Sequence, residues 1–273
     1  MKDLFSALAP FPGALPASFS RMNLLLSICP RQWKYRYELK LKGSTPPADP
    51  AMDAGKAMHS VLEAAVNTSR MHSFAPGMAG YSHLMERRML AEREPVRDIL
   101  AEMQGNAKKV LDAVIRTARK HGAKAFTERR LMLTRSGEVA APREKFSNAG
   151  WVGFVDLELL GETKMIILDY KSEHFSEERA ESVAVQTEMY MYAEFLRYAR
   201  LTEIQAGCGY LKDGSIVLED PVQRSALPEM EERLRHLYSR YLEAVRSGGR
   251  EKRPSKYCAW CSYRDMCSAD TSC

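Results

Sequence analysis

Hydrophobic positions recur along this chain with two different periods, and the change of period divides it. Over residues 20–41, Met22, Leu25, Leu26, Trp33 and Tyr37 keep a helical spacing, and Pro30 breaks the run just after Cys29. Residues 43–50 hold three prolines and read as a loop. Residues 53–69 predict a helix, and 81–121 predict two helices with a break near Glu94-Pro95. The period then drops towards two. Residues 125–134, 150–160 and 164–170 predict strands, the last two joined by a turn at Gly161-Glu162. A helix is predicted over 178–200, a hairpin from 203–211 and 215–218 around Asp213-Gly214, and a helix over 228–247. This order predicts an α/β fold, a mixed central sheet flanked by helices, with helices gathered towards the N-terminus. Four regions follow: a loose arm over 1–19, a helical region over 20–124, an α/β core over 125–247, and a basic, cysteine-rich tail over 248–273.

Composition narrows the classes. With 273 residues, 45% hydrophobic and 27% charged, the chain is no collagen, disordered polymer or disulfide miniprotein. A formal charge of +5 permits a nucleic-acid partner without demanding one. No apolar run approaches the roughly 20 residues that cross a bilayer, so no membrane partner is expected. Asp3, Pro10, Pro12 and Pro16 interrupt the first apolar stretch and favour an arm over a signal peptide. Cys29 and Cys208 stand alone, whereas Cys258, Cys261, Cys267 and Cys273 fall within the last sixteen residues. That clustering points to metal or cluster ligation in a reducing, cytoplasmic setting.

Two short segments carry the chemistry. Gly153-Phe154-Val155-Asp156 lies in one strand, and Ile166-Ile167-Leu168-Asp169-Tyr170-Lys171 ends the next. A tight hairpin brings Asp156 and Asp169 to neighbouring positions, and Asp169 and Lys171 share a face. Adjacent carboxylates repel, which favours a divalent cation between them. A lysine beside them can hold a water or offset charge on a phosphate. Taken alone, an Asp-x-Lys strand end is more often a solvated ion pair.

The neighbouring motifs resemble the PD-(D/E)XK nuclease superfamily, in which a G-x-V-D strand precedes an apolar strand ending in D/E-x-K. Gln186 and Tyr190, four apart on one helix face, resemble the Q-x-x-x-Y motif of its RecB-like branch. Gly55-Lys-Ala-Met-His59 resembles the G-x-x-x-H helix of that branch, and Cys29-Pro30 with Trp33, Tyr35 and Tyr37 its N-terminal helix. The resemblance spans residues 20–267 and extends to stand-alone CRISPR-associated exonucleases and the nuclease domain of AddB. It implies a restriction-endonuclease-like core. Asp156 and Asp169 would be metal ligands for Mg2+ or Mn2+, with His59 a third and the Tyr170 carbonyl oxygen a fourth. Lys171 would position or activate the attacking water, and Gln186 and Tyr190 would orient Lys171 or the DNA. Glu128, in the preceding strand, is either a supporting acid of the site or an ordinary surface acid. Ser172-Glu173 departs from the family pattern, where a threonine or serine and a glycine usually follow the lysine.

The spacing C-x2-C-x5-C at Cys258, Cys261 and Cys267 calls for a soft metal or cluster. Cys273, being local, would complete a zinc knuckle. The resemblance implies instead a [4Fe–4S] cluster held by Cys29, Cys258, Cys261 and Cys267, stapling the tail to the N-terminal helices. Cys208, in an apolar strand, reads as a buried hydrophobe. Basic residues cluster at Arg116, Arg119, Lys120, Lys124, Arg129 and Arg130, and again at Arg246, Arg250, Lys252, Arg253 and Lys256, where phosphates could bind.

The expected function is therefore a metal-dependent DNA exonuclease acting on single-stranded ends, in CRISPR adaptation or in recombination and repair. The alternative is a catalytically silent or partner-activated DNA-binding scaffold of the same fold. No P-loop occurs in the chain, so a helicase partner would be a separate protein, as would CRISPR adaptation proteins.

Overall fold

The computed structural model describes residues 16–45, 48–75, 77–141, 143–248 and 251–269. Most of the expected arm, and Cys273, lie outside these. The chain forms two compact units. One gathers the described residues up to Ala48, Leu131–Gly153 and the stretch from Pro228 onward; the other comprises Asp49–Arg130 and Phe154–Leu227.

The second unit carries three helices before the sheet. Helix α3 (Pro50–Met71) begins earlier than the hydrophobic pattern predicts. The Asp49 carboxylate accepts the Ala51 and Met52 amides at 3.0 and 3.2 Å, and Pro50 takes the first turn, where no amide is needed. Helix α4 (Tyr81–Ala91) and helix α5 (Glu94–Lys120) are separated by extended Glu92, and Pro95 sits in the first turn of α5.

One six-stranded sheet runs β1 (Lys124–Thr134), β2 (Ala149–Leu160), β3 (Lys164–Lys171), β4 (Glu203–Tyr210) and β5 (Ser215–Leu218) in spatial order, with β6 (Val222–Gln223) also on β4. Strands β2 and β3 form an antiparallel hairpin from Leu160↔Met165 to Leu157↔Leu168. Strands β3 and β4 are parallel, so the chain needs a crossover, and helix α6 (Glu177–Arg197) supplies it. Strand alternation sorts the faces. Leu157, Leu159, Leu168 and Tyr170 join Met58, Leu62, Leu100 and Leu111 of α3 and α5 in one core. Glu158, Ile167, Asp169 and Cys208 point the other way.

In the other unit, helix α1 (Phe19–Asn23) and helix α2 (Pro30–Trp33) each run into a wider turn closed by an i to i+5 bond, Cys29 N–H to Leu24 O and Leu39 N–H to Lys34 O. The single helix expected over 20–41 is thus interrupted, and Cys29 stands at the break in extended conformation. Trp33 is fully buried and meets Tyr241 of helix α7 (Leu227–Ser247) edge-on at 6.3 Å. The segment before helix α8 (Arg264–Ala269) is tied back to the N-terminal turns. Ser44 N–H donates to Ser262 O at 2.8 Å, Tyr263 Oη–H to Leu41 O at 3.2 Å, and Arg253 to Leu26 O at 3.0 Å. A Cβ on Gly43 would lie 2.6 Å from that of Ser262, so only glycine allows this approach. Among the described residues no helix is long and apolar enough to cross a membrane.

Candidate active site and cysteine cavity

The β2–β3 ladder ends at Leu157↔Leu168, and the next pair in register is Asp156 and Asp169. There a side chain replaces the backbone acceptor: the Tyr170 N–H donates to Asp156 Oδ2 at 2.6 Å. Asp169 is buried, and Lys171 Nζ lies 2.5 Å from its Oδ2. Helix α6 closes the same face. Gln186 Nε2 donates to Asp169 Oδ1 at 3.2 Å and to the Tyr190 hydroxyl at 2.7 Å. That hydroxyl also accepts the backbone N–H of Phe154.

His59 enters from α3. Its ring packs edge-on against Tyr170 at 5.8 Å, and its Nδ1 lies 3.6 Å from Asp156 Oδ2. The helix comes close to the turn after Lys171: a Cβ on Gly55 would meet Ser172 Oγ at 2.7 Å. Ser172 is therefore what lies against the glycine of G-x-x-x-H.

Glu128 completes the group. It adopts φ +46° within β1, a left-handed conformation that side-chain-bearing residues avoid, and the strand bulges there. Such strain costs on the order of 1–3 kcal/mol and persists only where neighbours fix it. One ligand atom each from His59, Glu128 and Asp156 fall within 4.8 Å of one another, so the three could hold a metal ion. The sequence left Glu128 open between site acid and surface acid; the bulge that turns it into this group is carried by no glycine and was not foreseen.

The electrostatics are those of crowded acids. Burial, then Asp156, pushes the Asp169 carboxyl up against the pull of Lys171 and His59. Burial and Asp156 raise Glu128 as well. Burial alone would lower His59 and Lys171, but the facing carboxylates outweigh it and both are raised. Lys171 is accordingly a held cation rather than a free base. A bound divalent cation would relieve the crowding among the acids.

Arg129, expected among the phosphate-facing residues, turns inward. It meets Glu158 Oε2 at 2.9 Å and the Tyr198 hydroxyl at 2.7 Å. Glu158 and Glu194 are both fully buried, and a side-chain hydrogen bond joins the two carboxyls. Sequence reasoning missed this pair, although acids inside Trp151–Leu160 and Tyr190–Phe195, two otherwise apolar runs, were its trace.

In the other unit, Cys29, Cys258, Cys261 and Cys267 line one cavity of about 290 Å³ together with Arg31, Lys252 and Arg264. All four thiols are free of disulfides. Burial, and then the neighbouring cysteines, raise the Cys261 thiol. The Ser255 N–H donates to Cys258 Sγ at 3.4 Å. Cys208 stays in the sheet, where burial and Asp169 push its thiol up to about 12, which keeps it neutral.

No curated protein matches this sequence. A family model described as the PD-(D/E)XK nuclease superfamily matches residues 16–268, nearly the whole chain. Its span takes in both units. The chain belongs to the PD-(D/E)XK nuclease superfamily.

Proposed function

We infer that this protein is a divalent-metal-dependent DNA exonuclease of the RecB-like iron–sulfur branch, hydrolysing phosphodiester bonds at single-stranded ends. Members of the superfamily are typically metal-dependent nucleases. The observation that carries the reading is the convergence of His59, Glu128 and Asp156 beside the buried Asp169–Lys171 pair.

The donor set fits the metal. Carboxylates and an imidazole suit Mg2+ or Mn2+, and crowded acids with raised carboxyls favour a cation. His59, Glu128, Asp156 and Asp169 would hold it, with the Tyr170 carbonyl oxygen as a further donor. When bound, the ion supplies a Lewis acid that polarises the scissile phosphate and acidifies a bound water. Lys171, kept protonated by Asp169, donates a hydrogen bond to the attacking water and offsets charge on the phosphoryl oxygens. The water oxygen would bond to phosphorus as the bond to the leaving sugar oxygen breaks, with the proton given up by the water passing to solvent and the leaving oxygen taking one from solvent. Gln186 fixes Asp169 so that one of its oxygens faces Lys171.

The cysteine cavity fits a [4Fe–4S] cluster: four unpaired thiols face one space, and cationic side chains line it against the cluster's negative charge. When bound, the cluster supplies a covalent junction between the N-terminal turns and the tail. The setting that accords with this reading is CRISPR adaptation or DNA recombination and repair in the cytoplasm.

The test is cleavage of end-labelled single-stranded and duplex DNA by anaerobically purified protein with Mg2+, Mn2+ or EDTA, with Lys171→Ala in parallel. Divalent-dependent shortening from the ends of single strands, lost in the variant, is expected. Folded, cluster-loaded protein that cuts nothing would favour the scaffold reading, and internal nicking would overturn the exonuclease one.

A further inference from the structure

Strand β1 changes face at Glu128. Thr127 donates to Asn67 of α3 at 3.3 Å, on the same side as buried Ala125. Arg129 should share that side, two residues on. Instead it reaches Glu158 on the opposite face of the sheet, and its guanidinium lies 4.3 Å over the ring of Phe126, three residues back. Positions i and i+3 share a face of a strand only across a one-residue bulge. Glu128 is that residue, left-handed and aimed at His59 and Asp156.

What fixes the bulge is a buried ion-pair network on its far side. Arg129 is held by Glu158, which has no exposed surface, and by the Tyr198 hydroxyl. Glu194, equally buried, pairs with Arg197 at 2.9 Å, and Arg197 donates to the Arg130 carbonyl at 3.2 Å. The two residues after Glu128 are thus both anchored to helix α6 or the residue after it, while Thr127 before it is anchored to α3. Slipping the bulge by one residue would swing Arg129 away from Glu158 and leave a buried carboxylate unpaired, which is strongly unfavourable.

We propose that Arg129, Glu158 and Tyr198 are positioning residues which hold Glu128 in its left-handed conformation and thereby set the divalent-ion affinity of the His59–Glu128–Asp156 group. The inference rests on the metal-site reading above but is separable from it. Mn2+ binding to the full chain, without DNA, is measured by calorimetry or by loss of the free-ion paramagnetic resonance signal. Arg129→Lys keeps the charge and loses the forked geometry; Tyr198→Phe removes one hydrogen bond and no charge. Arg129→Lys is expected to weaken Mn2+ binding about 10-fold or more and Tyr198→Phe by less, as for residues that orient metal ligands. In a Glu128→Gln background the same changes should have little further effect, since their route runs through Glu128.

Unchanged Mn2+ affinity in folded Arg129→Lys and Tyr198→Phe proteins would overturn the proposal and leave the metal site standing. Equal weakening with and without Glu128 would overturn it too, marking the network as general scaffolding. Failure of the parent protein to bind Mn2+ would remove the metal-site reading itself, and this proposal with it.

Discussion

Gln186 and Asp169 meet at 3.2 Å, amide nitrogen to carboxylate oxygen, and the same nitrogen lies 2.7 Å from the Tyr190 hydroxyl one helical turn on. One primary amide thus fixes the orientation of the buried acid and ties it to helix α6. Because Asp169 uses its other oxygen for Lys171, loss of Gln186 frees the carboxylate to rotate away from the lysine. We predict that Gln186→Ala lowers activity roughly 10- to 100-fold, the usual effect of losing a group that orients a ligand. Gln186→Glu should be worse, because it adds a fourth acid to Glu128, Asp156 and Asp169. Rate measurements over a Mn2+ titration check this: a variant with wild-type rate and metal dependence would count against the role.

Glu194 makes a pH prediction. Burial, and then the Glu158 charge, push its carboxyl up to about 8 from an ordinary 4.5, so it is protonated in the folded protein at neutral pH. The unfolded chain ionises it near 4.5. Between those values the folded state binds more protons, so stability falls as pH rises from about 5 to about 8. Glu194→Gln mimics the protonated form and cannot ionise. Its melting temperature relative to wild type should therefore climb across that window and level off above it, by about 2–4 °C for each kcal/mol recovered. Thermal unfolding at pH 5, 6.5 and 8 measures the difference, and a pH-independent offset would refute the assignment.

Two glycines should respond in opposite directions. A Cβ on Gly207 of β4 would run into the Val217 carbonyl oxygen and lie 2.8 Å from Leu218 Cα, both backbone atoms of β5. Neither can move without breaking the β4–β5 ladder, so Gly207→Ala should cost about 1–3 kcal/mol. Gly105 is an exposed position in the middle of α5 with nothing near its missing Cβ. Gly105→Ala should stabilise by about 0.5–1 kcal/mol by restricting the unfolded chain. Denaturant midpoints for the two variants give the comparison directly.

Much of this site follows from local pattern. An apolar run ending in Asp169-x-Lys171 gave the end of β3, the strand before it carried Asp156, and period-two alternation put Asp169 and Lys171 on one face. Four features did not follow, the first two because they depend on distant partners. The bulge at Glu128 lacks the glycine that usually marks one, since its strain is offset by Arg129 on Glu158 and Thr127 on Asn67. Arg129 looked like a surface cation among its neighbours, because nothing local announces a buried carboxylate 29 residues away. Helix α3 starts at Pro50 because Asp49 caps it, whereas a count of prolines assigns that segment to a loop. The extra residue in each of the turns around Cys29 has no local trace at all.

The tail poses the sharpest choice, between Cys29 and Cys273. Cys29 sits in extended conformation at the break between two helical turns, with Pro30 starting the next, and its cavity is shared with Cys258, Cys261 and Cys267. That cavity is also braced across the chain: the Arg31 N–H donates to the Glu251 carbonyl at 3.2 Å and Arg253 to Leu26 O at 3.0 Å. A distant fourth ligand would therefore gain from surroundings that already fix it. We predict that Cys29→Ser, purified without oxygen, loses the brown colour and most of its iron and unfolds at lower temperature, while Cys273→Ser keeps both. Iron and zinc analysis with visible absorbance reads the outcome. Stoichiometric zinc retained in Cys29→Ser and lost in Cys273→Ser would establish a local zinc knuckle and remove the cluster from the proposed function. The nuclease site would be untouched by that result, because none of its ligands belongs to the cysteine unit.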